Sequence, residues 1–242
     1  MSTAETITKQ IEVIEPGVIF TYNDFKVATT SMVATANTLS RLASKGIIKR
    51  FEKGKYFKPK QGMYGERPLQ LDKILEYILK ENGNLKGYIT GTTAYNRMGL
   101  STQISTEYVI ASNELRKPLI TGLIKIRFVK AYSNEIIESN IFSLQLLDSI
   151  KDIQNIPGTG VNDAIEIIKT KLKGLPLTTQ KRIVQLALNY PPATRALTGA
   201  IFELLGNNLA SNKLYKTLNP LSNYKLSVAT KALPNKNKWN IK

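Results

Sequence analysis

From Ala4 to Ile14 the apolar positions fall at Ile7, Ile11 and Ile14, a spacing of four then three that draws one stripe along a helix. Glu15-Pro16-Gly17 ends it. Thr21-Tyr22-Asn23-Asp24 then puts a hydroxyl at an N-cap and a carboxylate three residues on, which predicts a second, short helix through Ala28. A third helix is predicted over 32–45, preceded by Ser31. Its stripe is Met32, Ala36, Leu39 and Ala43, widened by Leu42, and Gly46 is its left-handed stop. The opposite face repeats the spacing with Ala34, Thr38, Arg41 and Lys45, flanked by Thr35 and Asn37, and carries no acidic residue. Ile47 to Phe51 and Lys55 to Lys58 are two β-prone runs around Glu52-Lys53-Gly54, closed by Pro59, and predict a hairpin. Three helices followed by a basic hairpin predict a winged helix-turn-helix over residues 1–61.

Beyond it, 62–68 reads as a linker and Leu69 to Leu79 as an amphipathic helix broken by Asn82-Gly83-Asn84. Gly87 to Leu100 reads as a turn, a short capped helix and a glycine stop; Glu107 to Ser112 and Ile120 to Val129 read as strands. These make a small mixed α/β domain over 68–142. From 143 the pattern is helical, at 143–151, 161–173, 178–189 and 193–205, and a polar tail rich in Asn and Lys ends in Lys238-Trp239-Asn240-Ile241-Lys242. This C-terminal region, 143–242, is the third predicted domain, its lone Trp239 expected to anchor the tail rather than to stack on bases. The fold class is α+β, mainly helical.

Charge separates these regions. The 242 residues hold 34 basic and 18 acidic side chains, a formal charge of +16. Residues 1–67 contribute +5, residues 68–160 contribute +1 and residues 161–242 contribute +10. The N-terminal excess is local: Lys45, Lys49, Arg50, Lys53, Lys55, Lys58 and Lys60 are opposed in their run only by Glu52. A helix that enters a major groove needs small or polar donors and must avoid carboxylates, and a basic hairpin beside it lies on the sugar-phosphate backbone. The candidate DNA contacts are therefore Ser31, Thr35, Asn37, Thr38, Arg41 and Lys45 on the helix, and Lys49, Arg50, Lys53 and Lys55 on the wing.

The chain has no His and no Cys, which removes thiolate and imidazole nucleophiles, disulfides and the usual zinc ligands. No phosphate-binding Gly-rich loop is present. Glu114 and Lys117 near strand 107–112 lie three apart, where a carboxylate-plus-Lys nuclease strand needs two. No catalytic residue, metal site or cofactor is expected. Ile156-Pro157-Gly158-Thr159-Gly160-Val161 resembles the turn of a helix-hairpin-helix element, or an ordinary turn into a helix capped by Asn162. No apolar run is long enough for a membrane span and the start lacks a signal peptide, so a cytoplasmic location is expected.

The run Leu39-Ser40-Arg41-Leu42-Ala43-Ser44-Lys45-Gly46-Ile47-Ile48-Lys49-Arg50-Phe51-Glu52-Lys53-Gly54-Lys55-Tyr56-Phe57-Lys58-Pro59 and the segment Gly91-Thr92-Thr93-Ala94-Tyr95-Asn96-Arg97-Met98-Gly99-Leu100-Ser101-Thr102-Gln103 resemble the AbiEi family of type IV toxin-antitoxin antitoxins. Asn219-Pro220-Leu221-Ser222 and Trp239-Asn240-Ile241 resemble the chain ends of an uncharacterised bacterial branch of that family. The resemblance implies a DNA-binding antitoxin that represses its own operon and counteracts a nucleotidyltransferase toxin encoded beside it. It also implies that the C-terminal region serves antitoxin activity. The expected partner is double-stranded operator DNA, and a homodimer on an inverted repeat is one arrangement open to such a module. The alternatives are an adaptor whose basic third binds an acidic protein and, less favoured, a metal-dependent nuclease.

Overall fold

The computed structural model describes residues 3–25, 31–63 and 65–242. The chain forms a mixed α/β structure of two compact units, Met1–Glu81 and Asn82–Lys242. Among the described residues no helix is long and apolar enough to cross a membrane.

In the first unit, α1 (Thr3–Val13) buries Ile7 and Ile11, the stripe its spacing predicts. The chain then forms a strand the sequence reading lacks, β1 (Ile19–Thr21), and a 3-10 turn at Tyr22–Asp24. Thr21 caps that turn: its Oγ accepts from Asn23 N at 3.2 Å, and its own amide donates to Asp24 Oδ2 at 2.6 Å. The capping geometry predicted there is present. The expected continuation of this helix over 26–28 lies outside the described residues. Helix α2 (Met32–Ser44) starts from Ser31, whose Oγ accepts from Ala34 N at 3.4 Å, and stops at Gly46, where φ is +75°.

Strands β2 (Lys49–Glu52) and β3 (Lys55–Phe57) form the predicted hairpin, and β1 pairs antiparallel with β3, so the sheet order is β1-β3-β2. Residues 62–68 are not a plain linker, because β4 (Lys60–Gly62) and β5 (Gly65–Arg67) pair as a second hairpin. Helix α3 (Leu71–Leu79) buries Ile74 and Ile78 and is followed by a two-residue strand, β6 (Lys80–Glu81). Ile7, Ile11, Phe20, Phe25, Leu39, Leu42, Ile48 and Tyr56 make the core of this unit.

The second unit opens with β7 (Asn84–Leu85) and β8 (Gly87–Thr90), the latter where a turn is predicted. All four residues of β8 are buried, so the run shows none of the alternation that marks a half-exposed strand. Helix α4 (Gly91–Arg97) follows, then β9 (Glu107–Ser112). The run read as one strand from Ile120 is two, β10 (Leu119–Thr121) and β11 (Ile124–Lys130), turning at Gly122 with φ of +56°. The sheet order is β10-β11-β9-β8, with β9 and β11 parallel and the other pairs antiparallel.

Helices α5 (Ile141–Lys151), α6 (Val161–Lys173), α7 (Leu177–Ala187) and α8 (Pro192–Leu204) lie where the helical period places them, and α9 (Asn208–Tyr215) adds to them. The boundary expected at 142/143 is absent. Leu144 and Leu147 of α5 belong to the same buried cluster as Tyr88, Ala94 and Ala111 from the sheet side and Ile165, Ile183 and Leu197 from the other helices. One buried cluster thus joins the sheet side to the helices after residue 82. Asn162 does not cap α6: Gly160 stands at that N-cap, and Asn162 Oδ1 accepts instead from Ala229 N at 2.9 Å.

Candidate nucleic-acid interface

The buried stripe of α2 runs through Thr35, Thr38, Leu39 and Leu42, rotated from the predicted one. Met32 is 55% exposed and Ala36 is also exposed. This corrects two of the expected contacts. Thr35 and Thr38 face the core, because each hydroxyl donates back to the carbonyl one turn earlier, Thr35 to Ser31 at 3.0 Å and Thr38 to Ala34 at 2.8 Å. With the hydroxyl satisfied locally, the remaining methyl packs like that of a valine. Ser31 is likewise engaged as the cap of the helix. Asn37, Arg41 and Lys45 are exposed as predicted. The stripe at the centre of the outward face is Val33, Asn37, Ser40 and Ser44, with Arg41 on its edge. Val33, Ser40 and Ser44 escaped the sequence reading. Their spacing of four, three and four was available, but the apolar appearance of Met32 and Ala36 drew the stripe elsewhere. No acidic residue stands on this helix.

The hairpin that follows holds its cations in different ways. Lys49 pairs with Glu66 from β5. Arg50 lies over the Tyr56 ring, 5.7 Å from its centroid. Lys55 pairs with Glu52 and sits 5.3 Å from the Tyr77 centroid on α3, while Phe51 meets the same ring edge-on at 6.1 Å. Lys53 stands exposed at the turn beside Gly54, with no partner among the described residues. Lys58 anchors the far end of the hairpin by donating to Glu12 O of α1 at 2.7 Å. The hairpin is thus braced on α1 and α3, and Lys53 at its turn is free for an outside partner.

The larger basic excess lies in the second unit. Lys169, Lys173 and Lys231 line a groove of about 540 Å³ whose lining contains no carboxylate, although Lys169 pairs with Glu166 at 2.6 Å.

The densest polar chemistry of this unit is buried. Asp148 of α5 accepts from Tyr88 Oη at 2.9 Å and Thr90 Oγ1 at 2.7 Å on one oxygen, and from Tyr190 Oη at 2.8 Å on the other. Burial pushes its pKa up, against the pull of these three hydroxyls and of Lys151. Burial, reinforced by the Asp148 charge, also raises the Tyr88 and Tyr190 phenols, so both stay neutral. One turn on, Asp152 accepts from Tyr95 Oη at 2.8 Å and pairs with Lys151 at 2.9 Å. Burial alone would lower Lys151. The hydrogen bond and charge of Asp152, with Asp148 behind them, outweigh it and keep the ammonium charged.

The shift at Asp148 has a testable sign. The folded state holds that proton more tightly than the unfolded chain, so wild type should gain stability over Asp148→Asn as pH falls from the raised folded value toward the ordinary 3.8. Above the folded value the difference should be flat. Urea titrations of both proteins across that range check it, and a gain for the variant on acidification would contradict it.

Residues 6–180 match a family described as a family of unknown function, DUF6088. The chain belongs to the DUF6088 family. The matched stretch takes in α2, the β2–β3 hairpin and Tyr88, Thr90 and Asp148 of the buried cluster, and ends at the start of α7, before Tyr190. The crystal structure of the RV2827C protein from Mycobacterium tuberculosis is similar in fold, with a TM-score of 0.52 at 11% identity, covering 93% of this chain and 85% of that chain. At that identity the likeness concerns the fold alone. A search of curated proteins found no match.

Proposed function

We propose that this DUF6088 chain is a sequence-specific DNA-binding regulator whose first unit works as a winged helix, with α2 in the major groove and the β2–β3 hairpin on the sugar-phosphate backbone. The carrying observation is the outward face of α2: a small, polar, acid-free stripe edged by Arg41 and leading directly into a braced hairpin with an unpaired lysine at its turn. Arg41 has the fork that reads guanine O6 and N7, Asn37 the amide that reads adenine N6 and N7, and Val33 an apolar contact for a thymine methyl. Ser40 and Ser44 are short enough to let the helix approach, and Lys45, Lys53 and Arg50 contact phosphates.

The face assignment itself is testable. Asn37→Ala should weaken binding to a preferred site by about 1–3 kcal/mol, whereas Thr38→Val, one residue on but facing the core, should leave DNA affinity unchanged. Fluorescence anisotropy on one duplex distinguishes them, and loss with Thr38→Val but not Asn37→Ala would contradict this reading.

The resemblance of residues 39–59 and 91–103 to AbiEi antitoxins supports a more specific role, in which the chain represses its own operon and counteracts a nucleotidyltransferase toxin. In this reading it binds rather than catalyses, which the absence of His and Cys favours. Co-expression with a nucleotidyltransferase encoded beside it should restore growth. Continued arrest with soluble chain present would remove the antitoxin role while leaving the regulator untouched.

A further inference from the structure

DNA binding by the first unit makes no use of the cavity of about 350 Å³ in the second. The sheet register builds one wall. Thr90 of β8, Val109 of β9 and Arg127 of β11 form one cross-strand row, and Tyr88, Ala111 and Val129 form the next, so alternate residues of three strands face the same side. Helix α5 lines the cavity with Asp148, Lys151 and, at its C-cap, Asp152. Lys130, the last residue of β11, also lines the cavity, with Tyr132 and Asn155.

What such a cavity can hold follows from which lining groups still have hydrogen-bonding capacity. Asp148 already accepts three hydroxyls, and Asp152 accepts both Tyr95 and Lys151. These carboxylates are occupied by the protein's own donors. The spare charge is cationic, and Thr92, Tyr132 and Asn155 add neutral polar groups to the lining. Lys151 pairs with Asp152 and lies 5.5 Å from the Tyr132 ring centroid, Arg127 directs Nε to Glu107 at 3.1 Å, and Lys130 has no partner among the described residues. Arg127, Lys130 and Lys151 all line the cavity, as does the apolar strip of Val109, Ala111 and Val129, and this lining suits an anion with several acceptor oxygens and a compact body. A phosphoryl dianion matches three cationic donors better than a single carboxylate does. The volume falls at the small end of ligand sites, enough for one such molecule.

We propose that this cavity binds a small phosphomonoester, its phosphoryl group held by Lys130, Lys151 and Arg127 and its body laid on Val109, Ala111 and Val129. A nucleoside monophosphate and a sugar phosphate share this chemistry. The proposal is independent of the DNA reading, since it concerns other residues in the other unit.

The test is calorimetric titration of the full chain with AMP, ribose 5-phosphate, inorganic phosphate and adenosine. AMP or ribose 5-phosphate, or both, should bind, and which of them does identifies the body. Inorganic phosphate should bind at least about tenfold more weakly and adenosine should not bind. Lys130→Ala, an exposed position that leaves the core intact, should weaken the bound phosphomonoester by about tenfold, and Lys151→Gln by at least as much. Lys53→Ala, in the first unit, should leave it unchanged. The proposal is overturned if neither phosphomonoester binds, or if inorganic phosphate binds as tightly as either. It is equally overturned if binding survives Lys130→Ala and is lost in Lys53→Ala.

Discussion

Replacing Trp239 with alanine should lower stability by about 3–5 kcal/mol, the range for removing a fully buried large aromatic. The ring is 1% exposed and meets Tyr215 edge-on at 5.2 Å. Its Nε1 donates to Glu203 Oε2 at 2.8 Å, and Glu203 also receives Asn235 at 2.7 Å and pairs with Lys238. Burial opposes ionisation of that carboxylate, but the hydrogen bonds from Lys238, Trp239 and Asn235 more than offset it and hold its pKa below the usual value. Truncation therefore leaves a cavity and removes one donor from a charged group. The ring lies against Gly199 of α8, where any Cβ would overlap it, so Gly199→Val should be severe as well. Urea unfolding with an unchanged m-value measures both. A loss under about 1 kcal/mol for Trp239→Ala would mean that the tail is not part of the core.

The second large effect separates the two kinds of DNA contact. Arg41→Ala should cost about 1–3 kcal/mol on the preferred site and relax sequence choice at the base pair it reads. Lys53→Ala should weaken all duplexes alike and reduce the slope of log affinity against log salt by about one unit. Titrations of both variants against preferred and scrambled duplexes at several salt concentrations check this. If Arg41→Ala weakened every duplex equally, the residue would be a phosphate contact and α2 would not be reading bases.

How far the sequence foretold these arrangements depends on where each signal resides. Helices α6 and α8 were legible because many apolar residues repeat at helical spacing, and the hairpin at Lys53-Gly54 because turn chemistry punctuates it. Helix α2 was legible as a helix but not in its rotation. Thr35 and Thr38 read as polar, yet each hides its hydroxyl on the preceding turn and buries its methyl, while Met32 and Ala36 read as apolar and face out. Strands β1 and β8 were missed because they are short and largely buried, without alternation.

The Asp148 cluster had no local signature at all. Its hydroxyls come from Tyr88, Thr90 and Tyr190, separated from the carboxylate by 60, 58 and 42 positions. Only the packing of α5 against both the sheet and α7 brings them together, and the same packing erases the domain boundary the sequence suggested at residue 142. The charge count pointed correctly to a second basic region, but not to the Lys169, Lys173 and Lys231 groove or to the cavity that Lys130 lines.

The most direct test of the account is the affinity of the full wild-type chain for duplex DNA from the region upstream of its own gene, compared with a scrambled duplex of equal length at near-physiological salt. A sequence-specific regulator predicts binding to the native duplex at least about a thousandfold tighter than to the scrambled one. Equal affinity for the two would contradict base reading by α2.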